Sequence, residues 1–226
     1  MCCGAVKIGD EYTLKSGETS RIYFNLRTPE NPKRGPLTEP ILLEISDLML
    51  GQLDFSLRLP KELRESLAFN RPNKARRELI QFRYVAGIPN AGDPIADALM
   101  DGLEGRSPIE QIRLIKRGRG ANRRIVGVKK TSGLVRGAAV LLIDDVLSSA
   151  ETKIEALQVL RTAGLEVHNL MVVIDREQGG RERLEEYGCQ THAIWRLRPL
   201  LEYYVESKWV DSEMAKIALQ SVGLAA

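Results

Sequence analysis

Two adjacent acids at the end of an apolar run are the first residues in this chain able to do chemistry. Asp144-Asp145 follows Ala139-Val140-Leu141-Leu142-Ile143 and precedes the turn Ser148-Ser149-Ala150-Glu151-Thr152. A continuous apolar run of this kind suits a strand covered on both faces, as in a parallel sheet. Open α/β sheets bind ligands beyond the carboxyl ends of such strands. A helix starting at Ser148 or Ser149 would present free N–H groups and partial positive charge to an anion. Acids beside a phosphate-sized cradle suit a ligand with hydroxyls and phosphates together, such as a sugar phosphate, or a magnesium-bound substrate. The plainer alternative is a pair of solvated acids at a helix-starting turn.

The turn itself has two readings. Ser148 and Glu151 match the capping-box spacing, which would close the helix end internally and put a carboxylate where an anion would sit. An anion still fits if Glu151 points outward or if Lys153 compensates its charge.

A second group is cationic. Between Ile112 and Arg136 stand Arg113, Lys116, Arg117, Arg119, Arg123, Arg124, Lys129, Lys130 and Arg136, without one acid. A glycine-containing basic loop can close over a pyrophosphate and neutralise its charge as it leaves. The alternative is a solvated basic loop. No aromatics are interleaved to stack bases, so nucleic acid is not an expected partner. In Asp175-Arg176-Glu177-Gln178-Gly179-Gly180, Arg176 could offer a planar pair of donors to a ligand carbonyl or carboxylate, or simply pair with Asp175. His168 and His192 lack a metal-ligand spacing and read as structural.

These groups need a scaffold, and the pattern supplies one. Short strands are expected at 12–14 and 21–26, then a proline-punctuated connection from Pro29 to Pro40. Helical spacing runs from 40 to 68, with a second short helix opening at Pro60. Strands at 82–89, 112–115, 124–128, 139–143, 168–174 and 192–195 alternate with helices at 91–103, 153–163 and 181–187, and helices at 199–205 and 211–219 end the chain. Strands alternating with helices indicate an α/β fold with a mainly parallel sheet. The 226 residues, 43% apolar and 28% charged, suffice for a sizeable core, and a net charge of +3 forces no polyanion binding. Cys2, Cys3 and Cys189 suggest neither a disulfide framework nor a zinc site, and a reducing cytoplasm fits best. Neither a membrane span nor a signal peptide is expected.

Taken together, four segments resemble the type I phosphoribosyltransferases, and within them the orotate phosphoribosyltransferases. They are Leu14-Lys15-Ser16-Gly17 with Ser20-Arg21-Ile22-Tyr23-Phe24-Asn25-Leu26-Arg27; Val85-Ala86-Gly87-Ile88-Pro89 with Pro94-Ile95-Ala96; Val140 to Thr152; and Asp175 to Gly180. The third alone indicates the superfamily, whereas the first and last are more specific. The resemblance implies a single domain over 1–226, with a mainly parallel sheet flanked by helices and a small hood built from about 1–40 and part of the C-terminus. It implies a pentosyltransferase that moves phosphoribose from phosphoribosyl pyrophosphate to orotate in pyrimidine biosynthesis. Magnesium would be bound mainly through the donor, with no direct protein ligand, and the chain would be a homodimer. Lys116, Arg117, Asp144 and Asp145 would be catalytic. The donor would also meet Ser148, Ser149, Ala150, Glu151 and Thr152, and orotate would meet Lys15, Phe24, Ser148 and Arg176. The chain differs from the family pattern where Ala150-Glu151 replaces glycine-containing sequence, where the basic loop lacks a further lysine and a histidine, and where Asn90-Ala91 replaces a Tyr-Lys pair. A binding or regulatory protein on the same fold, or a transferase for another base, are the alternatives.

Overall fold

A computed structural model describes residues 4–14, 17, 19–52, 82–103, 109–118, 122–129 and 133–225. The expected helix opening at Pro60 lies outside them. A six-stranded sheet runs in the order β5 (Arg124–Lys129), β4 (Glu110–Arg117), β3 (Tyr84–Gly87), β6 (Ala139–Leu147), β7 (Glu166–Asp175) and β8 (Gln190–Arg196). All neighbours are parallel except β4 and β5. An antiparallel hairpin, β1 (Val6–Thr13) and β2 (Thr19–Phe24), stands apart from this sheet.

The apolar run of β6 explains its central place. Side chains alternate across a strand. Leu141 and Ile143 join Val85, Met171 and Val173 in the core on one face, and Val140 and Leu142 join Tyr84, Ile112 and Leu170 on the other. Helices α1 (Glu39–Gln52) and α2 (Gly92–Leu103) cover the first face; α3 (Glu151–Thr162) and α4 (Gly180–Glu186) cover the second. Strand β4 runs on to Arg117, two residues past the expected end, because its backbone pairs with β5 as far as Arg117 opposite Arg124. Ladder bonds there outweigh the polar side chains of Lys116 and Arg117.

The chain's two ends meet over the first face. Ile22 and Phe24 of the hairpin share that core with Leu201 and Tyr204 of α5 (Leu197–Glu206) and Ala218 and Leu219 of α6 (Ser212–Gln220). The Arg21 N–H donates to Ser221 Oγ at 2.9 Å. No helix among the described residues is long and apolar enough to cross a membrane.

Candidate active site

From β3 the chain crosses to β4 on one side, and from β6 it crosses to β7 on the other. The loops after β3 and β6 therefore diverge and leave a crevice at the carboxyl ends of the strands, the ligand position of open α/β sheets. Gly92 lets α2 start against this point, since a Cβ there would lie 2.6 Å from the Ile143 carbonyl oxygen. A cavity of about 220 Å³ occupies the crevice. Pro89 and Asn90, joined by a cis peptide bond, line one side, and Asp144, Asp145, Thr152 and Lys153 line the other.

The acid pair is asymmetric. Asp144 is 4% exposed. Its Oδ2 lies 2.7 Å from Lys153 Nζ, and its Oδ1 accepts the Asp145 N–H at 2.9 Å. Asp145 Oδ1 accepts the Val146 N–H at 2.8 Å. Burial raises the Asp145 pKa to about 7, helped by the Asp144 charge and opposed by Lys153. Burial disfavours the Lys153 charge, but Asp144 and then Asp145 overcome this, and its pKa lies above the ordinary lysine value. Beside the pair, burial raises Asp93 to about 6 against the pull of Arg113.

The turn between β6 and α3 does not form the capping box. Ala150, at φ 70 and 2% exposed, occupies the N-cap position, and α3 begins at Glu151 rather than Ser148 or Ser149. Ser149, not Ser148, donates to the Glu151 carboxylate. Arg183 Nη1 of α4 lies 2.9 Å from Glu151 Oε1 and also donates to the Ser149 carbonyl. The Glu151 side chain is 67% exposed and is not part of the cavity wall. The Ser149 hydrogen bond is the main reason its pKa is lowered. Its carboxylate thus points outward, and Lys153 stands on the cavity side.

The Asp175–Gly180 loop braces this turn. A Cβ on Gly180 would lie 1.9 Å from the Ser148 carbonyl oxygen, so the loop sits directly on the turn. Asp175 pairs with Arg181 at 3.0 Å rather than with Arg176. Arg176, 7% exposed, donates its N–H to the Leu147 carbonyl at 2.9 Å and Nη2 to Ser20 Oγ of the hairpin at 3.4 Å.

Of the expected site residues, Lys116, Asp144, Asp145 and Thr152 share the cavity wall. Lys116 Nζ donates to the Pro89 carbonyl at 3.0 Å. Arg117 is exposed at the end of β4, and Ser148 and Ser149 are half-buried in the turn. Phe24, 7% exposed, packs in the core rather than on the cavity. Lys15 and Arg119 lie outside the described residues. Arg123, the other candidate substitute for the loop lysine, lines the cavity and donates to Asn90 Oδ1 at 2.8 Å. Arg27, Asn31 and Lys33 also line it and were not legible beforehand. Their one signal was position: Arg27 ends the Ser20–Arg27 segment, and Asn31 and Lys33 lie on the connection after it.

Residues 65–200 match the family model described as a phosphoribosyl transferase domain. The chain is 30% identical over 200 residues to an orotate phosphoribosyltransferase of Methanocella arvoryzae, covering 88% of this chain and 92% of that protein. It is 36% identical over 129 residues to the orotate phosphoribosyltransferase of Pyrococcus furiosus, covering 57% of this chain and 67% of the relative. Among solved structures, the UMP synthase of Leishmania donovani superimposes with a TM-score of 0.66 at 25% identity, covering 98% of this chain and 40% of that longer one.

Proposed function

Because the chain belongs to the phosphoribosyltransferase family, we propose that it is an orotate phosphoribosyltransferase, transferring phosphoribose from phosphoribosyl pyrophosphate to orotate to give orotidine 5′-monophosphate and pyrophosphate. The observation that carries this reading is the likeness to the Methanocella enzyme along nearly its whole length. The cavity at the β3–β6 crevice supports it, with an acid pair on one side and Lys116 and Arg123 on the other.

In this reading Asp144 and Asp145 hold the ribose hydroxyls. The N–H groups of the Ser148–Thr152 turn receive the 5′-phosphate at the start of α3. Lys116, with Arg123 on the same side of the cavity and Arg117 next in the strand, meets the diphosphate. Arg176 and Ser148 shape the orotate pocket between sheet and hairpin, Phe24 backs it from the core, and the family likeness adds Lys15 as a ligand of the base. The bond from the sugar C1′ to the diphosphate oxygen breaks and a bond to orotate N1 forms. Positive charge gathers on the sugar, so the protein's task is to stabilise negative charge on the departing diphosphate.

Among the described residues, no group of three His, Cys, Asp or Glu side chains is placed to hold a metal ion. Magnesium usually takes one or two carboxylates plus substrate phosphates. Such an ion would be held mainly through the donor's phosphates, with Asp145 on the cavity wall beside it. When bound, magnesium neutralises part of the diphosphate charge. A single domain with the hairpin and C-terminal helices as its hood, a homodimer and a cytoplasmic setting belong to the same proposal; the core shared by hairpin, α5 and α6 supports the hood.

The direct test follows orotate absorbance with phosphoribosyl pyrophosphate and magnesium. Orotate loss matched by pyrophosphate release is expected. Donor binding without turnover would favour a binding protein on the same fold.

A further inference from the structure

The cavity wall carries five cations, Arg27, Lys33, Lys116, Arg123 and Lys153, against the acids Asp144 and Asp145. Lys153 differs from the others. It is 8% exposed, it stands on the first turn of α3, and its partner is a buried carboxylate at 2.7 Å. Lys116 and Arg123, by contrast, donate to the neutral acceptors Pro89 O and Asn90 Oδ1 on the loop after β3. An ammonium group carries three N–H donors. Asp144 accepts one and fixes the direction of the side chain, and Lys153 lines the cavity.

A buried lysine is costly unless something uses its charge. Asp144 alone does not account for it, since a buried ion pair is often replaceable by apolar residues at no loss of stability. The position supplies a fixed positive charge on the acid side of the cavity, opposite Lys116 and Arg123. We infer that Lys153 is a resident cation of the donor site: positioned by Asp144, it binds phosphoryl oxygens directly and lets the site take a diphosphate without a divalent metal. This rests on the transferase reading. It adds that donor binding here depends on metal only in part. The raised Lys153 pKa keeps the group charged at neutral pH, in accord with this role.

Calorimetry with inorganic pyrophosphate in the presence of EDTA tests it. Wild type is expected to bind under these conditions. Lys153→Met should weaken that binding at least tenfold, and Lys153→Arg should stay within about threefold of wild type. Lys153→Met strands Asp144 in the interior, so the paired variant Asp144→Asn/Lys153→Leu, which removes both charges together, guards against a folding defect; it too should lose metal-free binding. Equal affinity of folded Lys153→Met and wild type would overturn the inference, as would wild type that binds pyrophosphate only when magnesium is added. In either case orotate turnover with magnesium would leave the transferase reading standing. Wild type that neither binds phosphoribosyl pyrophosphate nor consumes orotate with magnesium would overturn the transferase reading and the inference together.

Discussion

Adding one methyl group to Gly180 should damage both the fold and the donor site, and its neighbour provides the control. A Cβ on Gly180 would lie 1.9 Å from the Ser148 carbonyl oxygen and 2.8 Å from the Leu147 side chain. Ordinary contact begins near 3.4 Å, so the backbone of the turn or the loop must yield by about 1.5 Å. Overpacking of this kind costs roughly 1–3 kcal/mol, and the upper end applies because the obstacle is backbone. Replacing glycine by alanine returns about 0.4–1 kcal/mol through the unfolded chain. The net loss for Gly180→Ala is therefore about 2 kcal/mol, a fall in Tm of roughly 4–8 °C for a chain of this size. Gly179 has φ +80 and no heavy atom within 4 Å of a built Cβ. Gly179→Ala meets only left-handed backbone strain, about 1–2 kcal/mol, and leaves Ser148 in place. Thermal melts and calorimetry with phosphoribosyl pyrophosphate and magnesium separate the two. Gly180→Ala should lose at least tenfold in donor affinity, and Gly179→Ala less than threefold. Gly180→Ala with wild-type Tm and affinity would refute the claim that the loop braces the turn.

Three further expectations follow from the site. Asp145 and Asp93 are raised mainly by burial, to about 7 and about 6 from 3.8. Raised carboxylates bind more protons in the folded state, so their contribution is full below the unfolded value and is lost as pH rises through the folded one. The urea midpoint should accordingly fall between pH 5 and pH 8, and Asp145→Asn should flatten that fall; a midpoint that rises over this range contradicts the assignment. Arg183→Ala removes an exposed partner and should change stability by no more than about 0.5 kcal/mol. It should, however, uncover Glu151 and weaken donor binding about threefold, with Glu151→Gln in the same chain restoring it. Unchanged affinity in Arg183→Ala would show that Glu151 is too far from the ligand to matter. Arg176→Ala should raise the KM for orotate much more than that for the donor, and equal losses would remove Arg176 from the base pocket.

The strands were readable because burial on both faces leaves an apolar record. Leu141 to Ile143 is such a record, and it located the sheet centre, its carboxyl end and the acids together. What escaped was set by tertiary contact or by backbone state. Ser148 and Glu151 hold the capping-box spacing, but Ala150 turns left-handed and moves the helix start past Ser148. Glu151 is drawn outward by Arg183, 32 residues away, which no local pattern reports. Asp175 chose Arg181 over its neighbour Arg176 because the helix start at Gly180 brings Arg181 back beneath it. Arg27 and Lys33 were hidden for a similar reason. They lie on an irregular connection, and only its folding, with the Gly35 N–H on the Thr28 carbonyl and the Leu37 N–H on the Arg27 carbonyl, sets them at the cavity.

The hydrogen bond from Arg21 to Ser221 joins residues 200 positions apart. Contacts of such separation come late in folding, because the intervening loop must close first. Strands β3 to β7, and with them the acid pair and Lys153, need no residue beyond Asp175 to pair, whereas the turn also takes its brace from Gly180 and Arg183. The hairpin precedes these strands in the chain, yet its apolar face is covered only when α5 and α6 dock on it. The acid pair and Lys153 can thus be in place while the side of the crevice under the hairpin is still open.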